Sequence, residues 1–212
     1  MTNDGASITV QADTLVIETA TAACSVALIA GGRVIEARYE ELGRGHAERL
    51  VPMIAELAGG GRAPRILIDV GPGSFTGVRV GIAAARGLAL GWGSEVRGFS
   101  SLALVAAAAL ARRPSTRIAA LLEAGHGEVF MQMFDAALMP LGEVASLPPA
   151  AAAAAIAGVP AVGSGVRRLA GMADDLTDAL PDARDLPLLP AMLADLDPRP
   201  LYGRAPDAKL PG

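Results

Sequence analysis

Cysteine and aromatic residues are scarce in this sequence. Cys24 is the only cysteine among 212 residues, and phenylalanine, tryptophan and tyrosine together make up 3%. A single cysteine excludes intramolecular disulfides and zinc sites built from several cysteines, and it suits a reducing compartment. The chain is nevertheless long enough and, with 52% hydrophobic residues, apolar enough to bury a core. We therefore expect a globular protein.

The sequence also has no excess of positive charge. Its 18 basic and 22 acidic residues give a net charge of −4, and the basic residues are scattered along the chain. A protein that binds nucleic acid on its own usually carries a basic surface. We expect no tight binding of tRNA by the isolated chain.

Neither a secretory leader nor a membrane span is predicted. The first basic residue is Arg33, which follows Asp4 and Asp13, whereas a leader begins with positive charge. The uncharged stretch 144–166 consists mostly of alanine and glycine and is broken by prolines. These features predict a cytoplasmic protein without membrane contact.

The order of the predicted elements divides the chain into two lobes. Residues 1–12 lack periodicity and are predicted to be a flexible tail. Residues 13–100 give three short strands, a helix, a strand, a helix and a strand, which is the order of the ribonuclease H-like unit of the actin, Hsp70 and sugar kinase superfamily. Residues 101–212 repeat this order loosely and end in a Pro/Gly-rich stretch. The sequence therefore predicts a two-lobed, duplicated α/β fold with a degenerate second lobe.

Local sequence signals set the bounds of three predicted helices. The first begins at His46 and contains Pro52, so it is predicted either to kink there or to be short. The second spans 74–91, and a last short helix is predicted over 189–196.

The densest local signal is the run GPGSFTGVR from Gly71 to Arg79, between a predicted strand and a predicted helix. Ser74 is placed to cap that helix. Backbone amides and the positive end of a helix dipole can bind an anion, but the lysine of a phosphate loop is absent. The residues alone leave two interpretations open, a structural turn and an anion site.

With this run the sequence resembles the TsaB (YeaZ) family of bacterial tRNA threonylcarbamoyladenosine biosynthesis proteins. The resemblance extends in register through further segments, at 17–28, the His46 helix, 87–91, 98–102 and 127–130. It implies the two-lobed superfamily fold and a non-catalytic role that supports a TsaD-like threonylcarbamoyl transferase beside a TsaE-like ATPase. It also implies that tRNA is reached only through that complex, and that ATP serves the partners while this chain has no cofactor of its own.

Two segments depart from the family pattern and bear on an alternative function. Glu18 stands where the family usually has aspartate, and 123–126 read EAGH where it usually has Asp-Ala-Arg. The alternative is a stand-alone nucleotide-binding ATPase or kinase-like enzyme. In it a carboxylate on the first strand and a glycine turn would face phosphates, but the turn at 21–23 lacks glycine. The candidate nucleotide or anion contacts are Glu18, Thr19, Gly73 and Ser74.

No catalytic residue or metal ligand is predicted. A TsaD-like transferase binds metal through two histidines four residues apart on its first helix, and here Leu50 follows His46 at that spacing. The only other histidine, His126, lies far along the chain. No serine stands in the context of an activated nucleophile.

The predicted partner surface combines the 74–91 helix with the His46 helix, as the resemblance also implies. Small residues four apart on the longer helix would form a groove that suits close helix packing. The alternative is that this groove packs on the protein's own sheet. An open apolar surface further predicts a homodimer when the partner is absent. The predicted contacts are His46, Arg49, Met53, Gly77, Gly81, Ala84 and Leu88.

Overall fold

The computed structural model describes residues 11–201 and builds them into two five-stranded sheets with helices on both faces of each. The first sheet has the strands β1 (Thr14–Glu18), β2 (Ala23–Ala30), β3 (Arg33–Glu41), β4 (Arg65–Asp69) and β5 (Glu95–Phe99). The second has β6 (Arg117–Glu123), β7 (Val129–Asp135), β8 (Ala145–Leu147), β9 (Ala161–Val162) and β10 (Leu176–Thr177). The α-helices are α1 (His46–Ala55), α2 (Phe75–Trp92), α3 (Ser101–Arg112) and α4 (Pro149–Ile156).

The two sheets have the same topology. The first has the order β3-β2-β1-β4-β5, with an antiparallel meander of β1, β2 and β3 and parallel pairing of β1, β4 and β5. The second has the order β8-β7-β6-β9-β10 with the same pairing directions. Its parallel strands β9 and β10 have only two residues each. The predicted duplicated ribonuclease H-like fold with a degenerate second lobe is therefore confirmed.

Alternation along β1 separates two cores. Leu15 and Ile17 face α1 and α2, whereas Val16 faces the opposite side, where α3 lies. The core around Val16 also includes Phe134 of the second sheet, so α3 is packed between the two sheets. Side chains on the far face of the second sheet, such as Leu121, pack on α4. The layers therefore run from α1 and α2 through the first sheet, α3 and the second sheet to α4.

Of the two outcomes predicted at Pro52, a kink or a short helix, the structure shows a short helix. The helix continues past Pro52, which is exposed, and ends at Ala55 after ten residues. No α-helix forms over 189–196. Only a 3₁₀ turn forms, over Ala191–Ala194, and the Leu196 N–H donates to the Gly98 carbonyl oxygen of β5 instead of bonding within a helix.

The described part of the chain ends on the first lobe. Although β10 belongs to the second sheet, residues 182–201 run back along the first lobe, and Leu196 pairs with Gly98 of β5. The predicted tail lies almost entirely outside the described residues. Within residues 11–201 no helix combines the length and apolar character needed to cross a bilayer.

Candidate functional site: the interlobe cleft and the outer helices

The glycine-rich run forms the turn between β4 and α2. Ser74 caps α2 as predicted, because its hydroxyl oxygen accepts the Gly77 N–H at 3.2 Å. The Ser74 N–H donates in turn to the Ala20 carbonyl oxygen at 2.6 Å. The run is therefore fixed against the turn between β1 and β2.

Three glycines let α2 lie directly on the end of β1. A Cβ on Gly73 would overlap the Ala20 carbonyl oxygen, and a Cβ on Gly77 would overlap that of Thr19. On Gly81 it would overlap the Thr19 Oγ1. The Thr19 hydroxyl donates to the Gly77 carbonyl oxygen at 2.9 Å, which completes the contact. Only glycine allows so close an approach.

This contact overturns part of the predicted partner surface. The groove at Gly77 and Gly81 is filled by the protein's own Thr19, as in the alternative interpretation, so these glycines are not open to another helix. Met53 is also wrong as a surface contact, because its side chain is completely buried under the first sheet. His46 does start α1, but its Nε2 lies 2.9 Å from the buried Ala23 carbonyl oxygen.

The other three predicted contacts lie nearer the surface. Arg49 is held by Glu40, with its Nε 2.9 Å from the carboxylate, and by Glu56 at 2.6 Å. Ala84 and Leu88 are partly buried against the core under α2.

Three apolar residues that α1 and α2 expose were not predicted from the sequence. Leu90 is 90% exposed, Phe75 is 69% exposed and Val51 is 51% exposed. Val51 and Leu90 lie outside the periodic apolar stripe of their helices, and an apolar residue out of phase with that stripe is the signal that could have found them. Phe75 is in phase with the buried Val78 and Ile82, but as the first residue of α2 it lies at the cleft.

Glu18 ends β1 inside the protein. Its side chain has no exposed surface and accepts the Ala20 N–H at 2.8 Å. Burial and the neighbouring Asp69 carboxylate raise its pKa well above the usual value. Of the four predicted nucleotide or anion contacts, Glu18 and Thr19 are buried, and only Gly73 and Ser74 reach an open cavity.

That cavity is a cleft of about 980 Å³ between the lobes. The first lobe contributes the β1–β2 turn at 20–22, Arg44 and the start of α2. The second lobe contributes the β6–β7 turn at 123–126 and Arg167. The segment that departs from the family pattern therefore forms part of one wall. Thr21 and Ala22 line the cleft where a phosphate-binding turn would need glycine, and their Cβ atoms hinder a close approach of phosphate to the backbone.

A family model described as TsaD, tRNA N6-adenosine threonylcarbamoyltransferase, matches residues 38–157. The solved structure of YeaZ from Pseudomonas aeruginosa has 31% identity and a TM-score of 0.77, and the match covers 91% of this chain and 100% of that one. A second structure, of a protein from the same organism with similarity to peptidase YeaZ, has 30% identity and a TM-score of 0.75, covering 92% and 100%. The chain belongs to the TsaB/YeaZ family.

Curated relatives agree with this TsaB/YeaZ assignment. The tRNA threonylcarbamoyladenosine biosynthesis protein TsaB of Escherichia coli is 42% identical over 123 residues, 55% of this chain and 52% of that protein. The TsaB of Haemophilus influenzae is 39% identical over 122 residues, 55% and 51%. The chain spans about half the length of the curated relatives it matches.

The TsaB/YeaZ chain differs from the metal-binding transferase pattern in a visible way. Leu50, at the second histidine position, is buried in the core under the first sheet. His46 faces the Ala23 carbonyl rather than a cavity. Among residues 11–201, no three histidine, cysteine or acidic side chains are grouped to hold a metal ion.

Proposed function

We propose that this chain is a non-catalytic subunit of the complex that forms N6-threonylcarbamoyladenosine in tRNA, where it binds and supports a TsaD-like transferase. The observation that carries the proposal is the packing of the glycine-rich run on the β1–β2 turn. It buries Glu18 and Thr19 and uses the Ser74 hydroxyl as a helix cap, so the groups that would hold phosphates in an enzyme of this superfamily serve the fold. Both curated relatives are named for the biosynthesis of this nucleoside.

The outer faces of α1 and α2 are the proposed partner surface. Small and apolar side chains are exposed along α2, and Val51 is exposed on the neighbouring α1. Exposed apolar residues on two packed helices suit a helix-on-helix interface with another subunit. The exposed small and apolar residues of α2 on this face are Ala83, Gly87, Leu90 and Gly91, and the charged Arg86 is exposed beside them.

The remaining predicted partners follow from the same proposal. A TsaE-like ATPase supplies the ATP-dependent step, and this chain needs no cofactor of its own. The negative net charge favours tRNA binding through the assembled complex rather than by this cytoplasmic subunit alone. In the absence of a transferase, the same helix faces pair with a second copy of the chain.

The direct test is reconstitution. The chain is co-purified with the TsaD-like protein of the same genome, and tRNA modification is assayed with and without it. We expect a stable complex and modification that depends on this chain. If the isolated chain instead hydrolyses ATP at about 10 s⁻¹, near the median of enzymes, the stand-alone ATPase is correct. Full modification without the chain would also contradict the proposal.

A further inference from the structure

Residues 182–201 are fastened to the first lobe at three separate places. At the start, the Ala183 N–H donates to the Ser25 Oγ of β2 at 2.9 Å, in a buried position. In the middle, Leu196 and Gly98 exchange both backbone hydrogen bonds, at 2.7 and 3.0 Å. At the end, the Leu201 N–H donates to the Val70 carbonyl oxygen at 2.7 Å. The segment thus binds to β2, to β5 and to the residue that follows β4, all in the first sheet.

The middle attachment depends on a glycine in the edge strand β5. A Cβ on Gly98 would lie 2.6 Å from Cγ1 of Val70 and 3.1 Å from the Asp197 carbonyl oxygen. Two arginines of the first lobe donate to carbonyl oxygens beside this point, Arg86 to Pro198 at 2.8 Å and Arg65 to Ala194 at 3.2 Å. The backbone of the segment therefore lies as close to β5 as a further strand would.

The same segment also packs against the layer that joins the lobes. Ala183, Leu186 and Leu189 are buried in the core that contains α3 and side chains of both sheets. The helix α3 packs on the second sheet, so apolar contacts with α3 join the segment to the second lobe. Hydrogen bonds join the segment to the first sheet.

We propose that Asp182–Leu201 is a strap that locks the two lobes at one angle, so that the cleft keeps a fixed width. Two-lobed proteins that close on a ligand do so by bending at a few residues where the chain crosses between lobes. In this protein the chain returns from the second lobe to the first after β10, and the segment that follows is attached to the first lobe at three places. The attachments at Gly98 and Val70 fasten the strap to the first lobe, so opening the cleft would pull α3 away from the strap and expose its buried apolar side chains.

The test measures one distance between the lobes. Spin labels are placed on Arg33→Cys in the first lobe and Ala154→Cys in the second, both at exposed positions. Burial raises the pKa of Cys24 to about 12, so the native cysteine does not compete for the label. Dilution with unlabelled chain removes distances between molecules. We expect one narrow distance distribution, unchanged by added Mg-ATP.

Two variants weaken the middle attachment from opposite sides. Gly98→Ala crowds it, and Leu196→Pro removes the N–H that binds the Gly98 carbonyl oxygen. The control is Gly87→Ala, whose added Cβ meets no atom within 4 Å. With either variant we expect amide exchange at Leu201 to rise about tenfold and the distance distribution to broaden.

Three results would overturn the proposal. The first is a broad or two-peaked distance distribution in the parent chain. The second is an unchanged distribution in a variant whose Leu201 amide exchanges freely, because the strap would then not set the angle. The third is unchanged exchange at Leu201 in both variants, because the Gly98 attachment would then not hold the strap.

Discussion

Glu18 and Asp69 stand side by side at the ends of two adjacent parallel strands, and both side chains are completely buried. They follow the paired residues Ile17 and Ile68 of β1 and β4, so their carboxyl groups share one face of the sheet. Burial raises the pKa of Asp69 to about 7, although hydrogen bonds from Ser101 and Gly71 act against the shift. The pKa of Glu18 is raised by burial and by Asp69.

This pair predicts that stability falls as pH rises. Both folded-state pKa values lie above those of the unfolded chain. Between pH of about 4 and 7 the folded protein therefore binds more protons than the unfolded chain, and its stability decreases as pH rises through this range. We expect the free energy of unfolding to decrease by a few kcal/mol, on the order set by shifts of this size, between pH 5 and pH 8. Urea denaturation at both values measures it.

Neutral isosteres provide the control for the pH effect. Asp69→Asn and Glu18→Gln keep an oxygen acceptor for the local N–H and hydroxyl donors without a titrating proton. Each should flatten the dependence on pH. A pH dependence as steep in both variants as in the parent would show that other groups cause it.

Gly81 and Gly87 should respond in opposite directions to substitution by alanine. At Gly81 the new Cβ overlaps the Thr19 Oγ1 and lies 2.8 Å from Cδ1 of Ile68, so we expect a loss of about 1–3 kcal/mol. At Gly87 it meets nothing within 4 Å, and the better helix former should add up to about 1 kcal/mol. Chemical denaturation measures both. Equal tolerance at the two positions would mean that α2 does not pack on Thr19.

Much of this fold could be predicted from local sequence signals. The β-branched runs predict the first three strands, and Ser74 with the apolar period after it predicts α2 within a residue or two. The second sheet was harder, because β9 and β10 have two residues each and carry no detectable period.

The candidate site was less predictable for a physical reason. A helical wheel shows that α2 has a wide arc of small and apolar residues, but it cannot show which part of the arc meets the sheet. That depends on Thr19, which lies 58 positions before Gly77 in the sequence. The surroundings of Glu18 are equally non-local, because they include Asp69 of β4 and Ser25 of β2, whose hydroxyl oxygen accepts the Ala183 N–H.

Cys24 should be unreactive in the folded protein. Burial and the nearby Glu18 carboxylate raise the pKa of its thiol to about 12, and the thiolate is the reactive form. We expect no maleimide labelling of the native chain at pH 7.5 and complete labelling in denaturant. Mass spectrometry reads both. Native labelling as fast as that of the unfolded chain would contradict the buried position.

The proposed partner surface is tested most sharply at Gly87. Gly87 is exposed on α2 next to Ala83 and Leu90, with open space where a side chain would stand. A leucine there leaves the core untouched but projects from the face proposed to meet a partner helix, where close approach needs small residues. We expect Gly87→Leu to keep or slightly raise the thermal midpoint, since leucine is a better helix former than glycine, and to lose most of the binding to a TsaD-like transferase and to a second copy. Ala154→Leu, the same kind of change on the exposed side of α4 in the other lobe, should leave both associations intact.

Co-purification and light scattering measure the two associations, and circular dichroism measures the midpoint. If the Gly87 variant binds as tightly as the parent, the interface lies away from the middle of α2. If the Ala154 variant loses binding as well, the effect is not specific to that helix.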